Sequence, residues 1–276
     1  MAEIGQRRRQ RERRHHVGRG VLIGVGIILL LFIGSLISPL PHSATTPNTS
    51  HVLEGPGTEF WFGTDTVGTD IFSRTIRAAR VDLALALAGT ALSLLVGVPL
   101  GLLTSVRGRL GEIVARGLDA FQALPLIVLA LAIVSLSGNR IEMVVVAIAL
   151  ISIPRFMRLI RSAMLTLREA RFVEAAVATG ASWPRIMRRN LLPNIRSAIV
   201  AETSLTAAYA LVVIAALSFL GIGVQPPTPS WGAMIRDGSP HMVSGEWWLV
   251  VFPGIALFLS VFSFNLVADG IEDMGR

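Results

Sequence analysis

Residues 174–194 read EAAVATGASWPRIMRRNLLPN. With Arg185, Arg188, Arg189 and Asn190 close together, the stretch is too polar to cross a bilayer, and it is too rich in helix formers for a linker. Glu174, Ala175 and Ala176 continue a helical pattern that begins near Ser162, and Gly180 interrupts it. Ser182 and Pro184 then open a second helix, because serine is a favoured cap and proline is tolerated in a first turn. Pro193 is expected to stop that helix. The product is a short helix–turn–helix lying parallel to a membrane surface. It exposes small residues to a close-fitting partner and keeps its arginines near lipid head groups.

Apolar runs on both sides of this stretch decide the class. The chain has 276 residues, of which 52% are apolar and 16% charged, and its mean hydropathy is +0.63. A soluble core of this size cannot hide so much apolar surface. A hydrocarbon layer about 30 Å thick accepts it in helices of about 20 residues each. Six spans are expected, at 20–39, 83–106, 119–138, 142–160, 197–222 and 247–268. The fold class is an all-α polytopic membrane protein, with residues 83–270 as its core and 161–196 as its largest inner loop.

Charge sets the orientation. All 25 basic residues are arginine, and seven fall in the first 19 residues, directly before an apolar run. A nucleic-acid arm is a poor reading of this tail, since the adjoining segment must enter lipid. The run Val21–Ile37 is also longer than the apolar part of a cleaved signal peptide. Residues 1–19 are therefore expected as a cytoplasmic tail on anionic lipid and 20–39 as a signal anchor. The remaining connections then alternate, with the C-terminus inside. Twenty arginines fall inside: the seven of the tail, those at 107–116 and 155–196, and Arg276. Only Arg74, Arg77, Arg80, Arg140 and Arg236 lie outside, as the positive-inside rule requires.

The outer loop 40–82 begins irregularly with PLPHSATTPNTS and changes character at Phe62. From there Thr69 or Asp70 can cap an amphipathic helix over 70–80, with Arg74, Arg77 and Arg80 on it, expected at the outer interface. Spans two and five are rich in Ala, Gly, Ser and Thr, which permit close helix packing in lipid. Pro99 and Pro125 are expected to kink their spans. Glu202 is the acid placed clearly inside a span. It needs a partner there, in either a structural ion pair or a gating role.

The run Glu174-Ala175-Ala176, followed by Gly180 and ending in Leu192-Pro193, resembles the EAA loop of ABC importer permeases. Asn190 stands where that family often has a branched apolar residue or histidine. Three further stretches resemble the second type of permease subunit in the oligopeptide/dipeptide/nickel family: Phe62 to Arg74, Leu217 to Gly232, and Phe252 to Gly270. Thr69 stands where that family usually has arginine. The resemblance covers residues 62–270. It implies a type I ABC importer permease fold and a role in peptide import, with nickel or another small solute as the alternative cargo. The implied partners are a second permease in a heterodimer, two cytosolic ATPases, an extracytoplasmic solute-binding protein and membrane lipid, with no nucleic acid. Glu174, Ala175, Ala176, Gly180, Ala181, Ser182, Leu192 and Pro193 would form the coupling loop that docks in the ATPase. Glu202, Gln225 and Trp231 are candidates for the pathway or its gate. The implied location is a bacterial cell membrane.

The residues themselves argue against other chemistry. Without cysteine there is no thiol nucleophile or Cys-ligated zinc, and the five histidines have no metal-ligand spacing. No GxxxxGK[ST] phosphate cradle is present, so ATP and Mg are expected on the partner ATPases and no cofactor on this chain. An intramembrane protease would need paired Asp, a Ser–His pair or HExxH within spans, and a secondary transporter would need more midplane ionisable groups than Glu202.

Overall fold

The computed structural model describes the backbone of residues 2–36, 40–105 and 109–275, and their side chains except for residues 2–18, 110 and 275. Arg107, Arg276 and the expected ends of spans one and two at 37–39 and 106 lie outside the described residues, as do the side chains of the tail arginines.

Helix dominates, and among the described residues the one β feature is an isolated bridge between Thr64 and Asp70. Helix α1 (Ala2–Leu36) joins the tail and the first span in one rod. It is followed by α2 (Ile71–Ser105), α3 (Arg109–Gln122), α4 (Leu126–Leu136) and α5 (Ile141–Leu167). The expected coupling region holds α6 (Arg171–Ala178) and α7 (Trp183–Ile186), and α8 (Leu192–Phe219) runs back into the bundle. Helices α9 (Trp231–Gly238) and α10 (Trp248–Gly275) complete the chain.

Five stretches are long and apolar enough to cross a membrane, within α1, α2, α5, α7–α8 and α10. The third expected span differs. Helices α3 and α4 meet at 85° across residues 123–125, so 119–138 is a broken span rather than one kinked helix. Pro125 lacks an N–H and forces the preceding residue out of the helical region. The 11 residues of α4 rise only about 16 Å, half a bilayer core. The amphipathic stretch 70–80 is likewise not a separate helix but the opening turns of α2. Asp70 caps it, with Oδ2 accepting from the Ser73 N–H at 3.0 Å.

The core is built on α2, α5 and α8. Ala79, Leu83 and Ala86 of α2 pack with Ile148 and Ile151 of α5 and with Leu211 and Ile214 of α8. Along the α2–α5 seam, backbones come close enough that only glycine fits. A Cβ at Gly97 would lie 2.7 Å from Cβ of Phe156, and one at Gly101 would lie 2.6 Å from Cβ of Ile160. This is the use of small residues expected in lipid, where dispersion replaces the hydrophobic drive. At the opposite edge α1 packs against α10 and α2, while Leu22 and Leu30 stay exposed.

The 40–70 segment is tied to α10. Trp248 Nε1 donates to the Thr64 carbonyl at 3.2 Å, and Phe62 stacks on Phe252 with ring centroids 3.9 Å apart. Asp65 organises the turn that follows, accepting from the N–H groups of Val67 and Thr69, from the Thr69 hydroxyl, and from Arg74 at 3.0 Å.

Candidate functional site

The loop quoted at the outset forms a compact unit at one end of the bundle. Helix α5 ends at Leu167, and a turn at 168–170 separates it from α6, so the expected continuous helix from Ser162 through Ala176 is broken. Val173, Ile186, Leu191 and Ile195 form a small core with Ile160 and Met164 of α5, bordered by Val98 and Leu102 of α2. The loop is therefore seated on the ends of three bundle helices.

Gly180 ends α6 at φ +77°. Its N–H donates to the Val177 carbonyl at 2.9 Å, and the Ala181 N–H donates to the Ala176 carbonyl at 3.1 Å. That pair of bonds is the Schellman motif, which needs a left-handed residue and favours glycine there. Ser182 takes the cap position of α7 with extended backbone, although its hydroxyl makes no capping bond. Its carbonyl accepts from the Arg185 and Ile186 N–H groups. Pro193 does not stop the second helix. Residues Met187–Leu191 form a π turn, in which the Leu192 N–H reaches back to the Met187 carbonyl. The wider turn gives room for the proline ring, which would otherwise press on the carbonyl four residues earlier.

Glu174, Ala175, Gly180, Ser182 and Pro193 are exposed, while Ala176, Ala181 and Leu192 are half-buried on the small core. Phe172 and Val177 also point outward, at 38% and 56% exposure. The sequence reading missed these two; Phe172 is about 100° around the helix from the inward Val173, whereas Val177 shares its face one turn later and is uncovered because it lies beyond the small core. Small and apolar side chains thus form an uncovered face on α6 and its turn.

The other candidates separate. Glu202 is half-buried in α8, with a 3.5 Å contact from the Thr206 hydroxyl, and Arg155 and Arg158 of α5 are the cations acting on it. Arg155 also lies over the Tyr209 ring at 4.6 Å. Gln225 is exposed, and its Nε2 donates to the Gly221 carbonyl. Trp231 is fully buried. Its backbone N–H donates to Asp82 Oδ2 at 2.9 Å and its Nε1 donates to the Thr75 carbonyl at 2.9 Å. Asp82, 1% exposed, is a buried acid that the sequence reading did not single out. Its only signal was an aspartate at the very edge of an apolar run.

A helical bundle of this kind, crossing the membrane several times and presenting one seated helix–turn–helix, is a multi-pass membrane transport subunit. Residues 80–274 match the family described as "Binding-protein-dependent transport system inner membrane component", and the chain belongs to that family. It is similar to the dipeptide transport system permease protein DppC of Alkalihalophilus pseudofirmus, with 37% identity over 92% of this chain and 83% of that protein. The glutathione transport system permease protein GsiD of Pectobacterium atrosepticum is 37% identical over 94% of this chain and 86% of its own length. The di/tripeptide transport system permease protein DppC of Pseudomonas aeruginosa is 36% identical over 92% and 87%. Among solved structures, an inward-facing MetNI methionine ABC transporter aligns with a TM-score of 0.63 at 18% identity, over 75% of this chain and 98% of that one. The fold is that of a type I ABC importer permease, and the chain is an inner-membrane permease subunit of a binding-protein-dependent transport system.

Proposed function

We propose that this permease imports peptides, pairing with a second permease to form the path. The 161–196 loop docks on one of two cytosolic ATPases, and a solute-binding protein delivers cargo at the 40–70 end. Both termini face the cytosol. The chain itself catalyses nothing and carries no cofactor; ATP and Mg belong to the ATPases. Relatives named for dipeptide, di/tripeptide and glutathione transport support the cargo class.

One observation carries the coupling role. The α6–α7 unit keeps Phe172, Ala175, Val177 and Gly180 uncovered while its other face is fixed on the bundle. A low-profile apolar face on a rigid seat suits a groove in a soluble partner, and movement of that partner then tilts the seat and with it the bundle. Residues 1–19 rest on anionic head groups, and Glu202 serves packing through Thr206 and Arg155 rather than gating.

The test is uptake by the reconstituted four-subunit complex with its binding protein. Labelled di- and tripeptides should accumulate in an ATP-dependent way, and excess nickel should not compete. Saturable nickel uptake without peptide uptake would reverse the cargo assignment. A cysteine at Ala175, exposed on α6, should crosslink to the ATPase; no crosslink in active complexes would remove the docking assignment.

A further inference from the structure

We propose that Arg168 is a positioning residue that ties the coupling loop to the end of α2, so that displacement of the loop moves α2 and α5 together. The proposal rests on the coupling role given above to the 161–196 loop and adds the side chain through which the motion passes.

Arg168 stands at the turn between α5 and α6, and its half-buried side chain touches two other elements. Its NH1 donates to the Ser105 carbonyl at 3.2 Å. Ser105 is the last residue of α2, where carbonyls have no intrahelical partner and the helix dipole favours a cation. Its guanidinium carbon lies 5.0 Å from the centroid of the Trp183 ring, at the first position of α7. One planar cation thus joins the C-terminus of α5, the C-terminus of α2 and the opening of α7. Among the described residues, Val98 and Leu102 of α2 also border the loop's small core, through aliphatic contacts that can slide. A guanidinium fixed both by a directional hydrogen bond and by a ring face cannot slide without losing one of them.

What α2 does next follows from its seam with α5. Gly89, Gly97 and Gly101 place the α2 backbone against Ile148, Phe156 and Ile160 of α5, with no space for even a methyl group. Helices packed so closely move as one body. A pull on the end of α2 through Arg168 is therefore a pull on the α2–α5 pair.

The experiment uses the full complex in nanodiscs with its binding protein loaded with dialanine, and reads the ratio of stimulated to basal ATP hydrolysis. Arg168→Gln should lower that ratio about fivefold to tenfold, the usual size of a coupling term. Arg168→Lys should recover most of it, because an ammonium can still donate to Ser105 and sit over Trp183. Trp183→Leu, which removes the ring and leaves the arginine, should lower the ratio in the same direction and decides the matter if Arg168→Gln does not assemble. A wild-type ratio in Arg168→Gln or in Trp183→Leu overturns the proposal. So does a lysine variant no better than glutamine in an assembled complex, which would mean that Arg168 serves packing alone. A wild-type complex with no stimulation at all would overturn the importer reading and the proposal with it. That result is distinct from equal stimulation across the variants, which overturns the proposal alone.

Discussion

The backbone N–H of Trp231 donates a 2.9 Å hydrogen bond to Oδ2 of Asp82, 149 positions earlier in the chain. Trp231 opens α9, so its N–H is one of the donors that a helix leaves without an internal partner. Asp82 thereby caps α9 from α2, and the Ser230 hydroxyl adds a second donor to the same oxygen at 3.3 Å. Replacing Asp82 with alanine strands both donors in a dry interior, at about 1–3 kcal/mol for each group left unsatisfied. Asp82→Ala should therefore lower the melting temperature of the purified complex, and Asp82→Asn, which keeps an accepting oxygen, should lower it less. Equal melting of Asp82→Ala and wild type would show that the cap contributes nothing.

The α2–α5 seam makes a sharper demand. A Cβ at Gly97 would meet Cβ of Phe156 at 2.7 Å and the Ile153 carbonyl at 2.9 Å, so backbone as well as side chain would have to move. Overpacking of this kind costs about 1–3 kcal/mol. Gly97→Ala should reduce folded protein in the membrane, whereas Gly26→Ala, whose Cβ meets nothing within 4 Å, should not. Comparison of the two by size-exclusion yield in mild detergent checks this. Matching yields would mean that the helices can part at no cost.

Both relationships lay partly hidden in the sequence, for a physical reason. Apolar run length marks a span because the bilayer sets one thickness for all of them, and α1, α2, α5, α8 and α10 were legible on that basis. The third span was read as one kinked helix over 119–138, and its break into α3 and α4 was not legible. In α3, Arg109, Glu112, Arg116 and Asp119 recur every three or four residues, the mark of an amphipathic helix, yet their charge reads as loop when only apolar runs are sought. The coupling loop was legible because its signals are local: Gly180 for the left-handed turn, and Ser182 with Pro184 for the next helix. Pro193 was misread because a π turn is a backbone adjustment with no residue signature of its own. Trp231, next to a proline-rich loop, was a candidate for the pathway or its gate, and its burial was not legible. Its partners Asp82 and Thr75 are distant in sequence, and no local pattern reports such a pairing.

The coupling loop can be tested where its surface and its turn separate. Gly180 holds φ +77°, yet a Cβ there would meet nothing within 4 Å, so any penalty for a side chain comes from the backbone alone. A β-branched residue in that region costs about 1–3 kcal/mol, whereas asparagine tolerates it. Gly180→Val should therefore open the Schellman turn that sets α7 against α6, and Gly180→Asn should keep it. Glu174 is exposed at the start of α6, and Glu174→Arg reverses a charge on the docking face without touching the small core beneath. Gly180→Val and Glu174→Arg should both leave the protein inserted and binding-protein capture intact, and both should abolish peptide uptake. Gly180→Asn should transport near the wild-type rate. The measurements are uptake in cells and ATP hydrolysis stimulated by loaded binding protein in reconstituted complex. If valine at 180 and arginine at 174 both gave full stimulation, force would have to reach the bundle by some other contact.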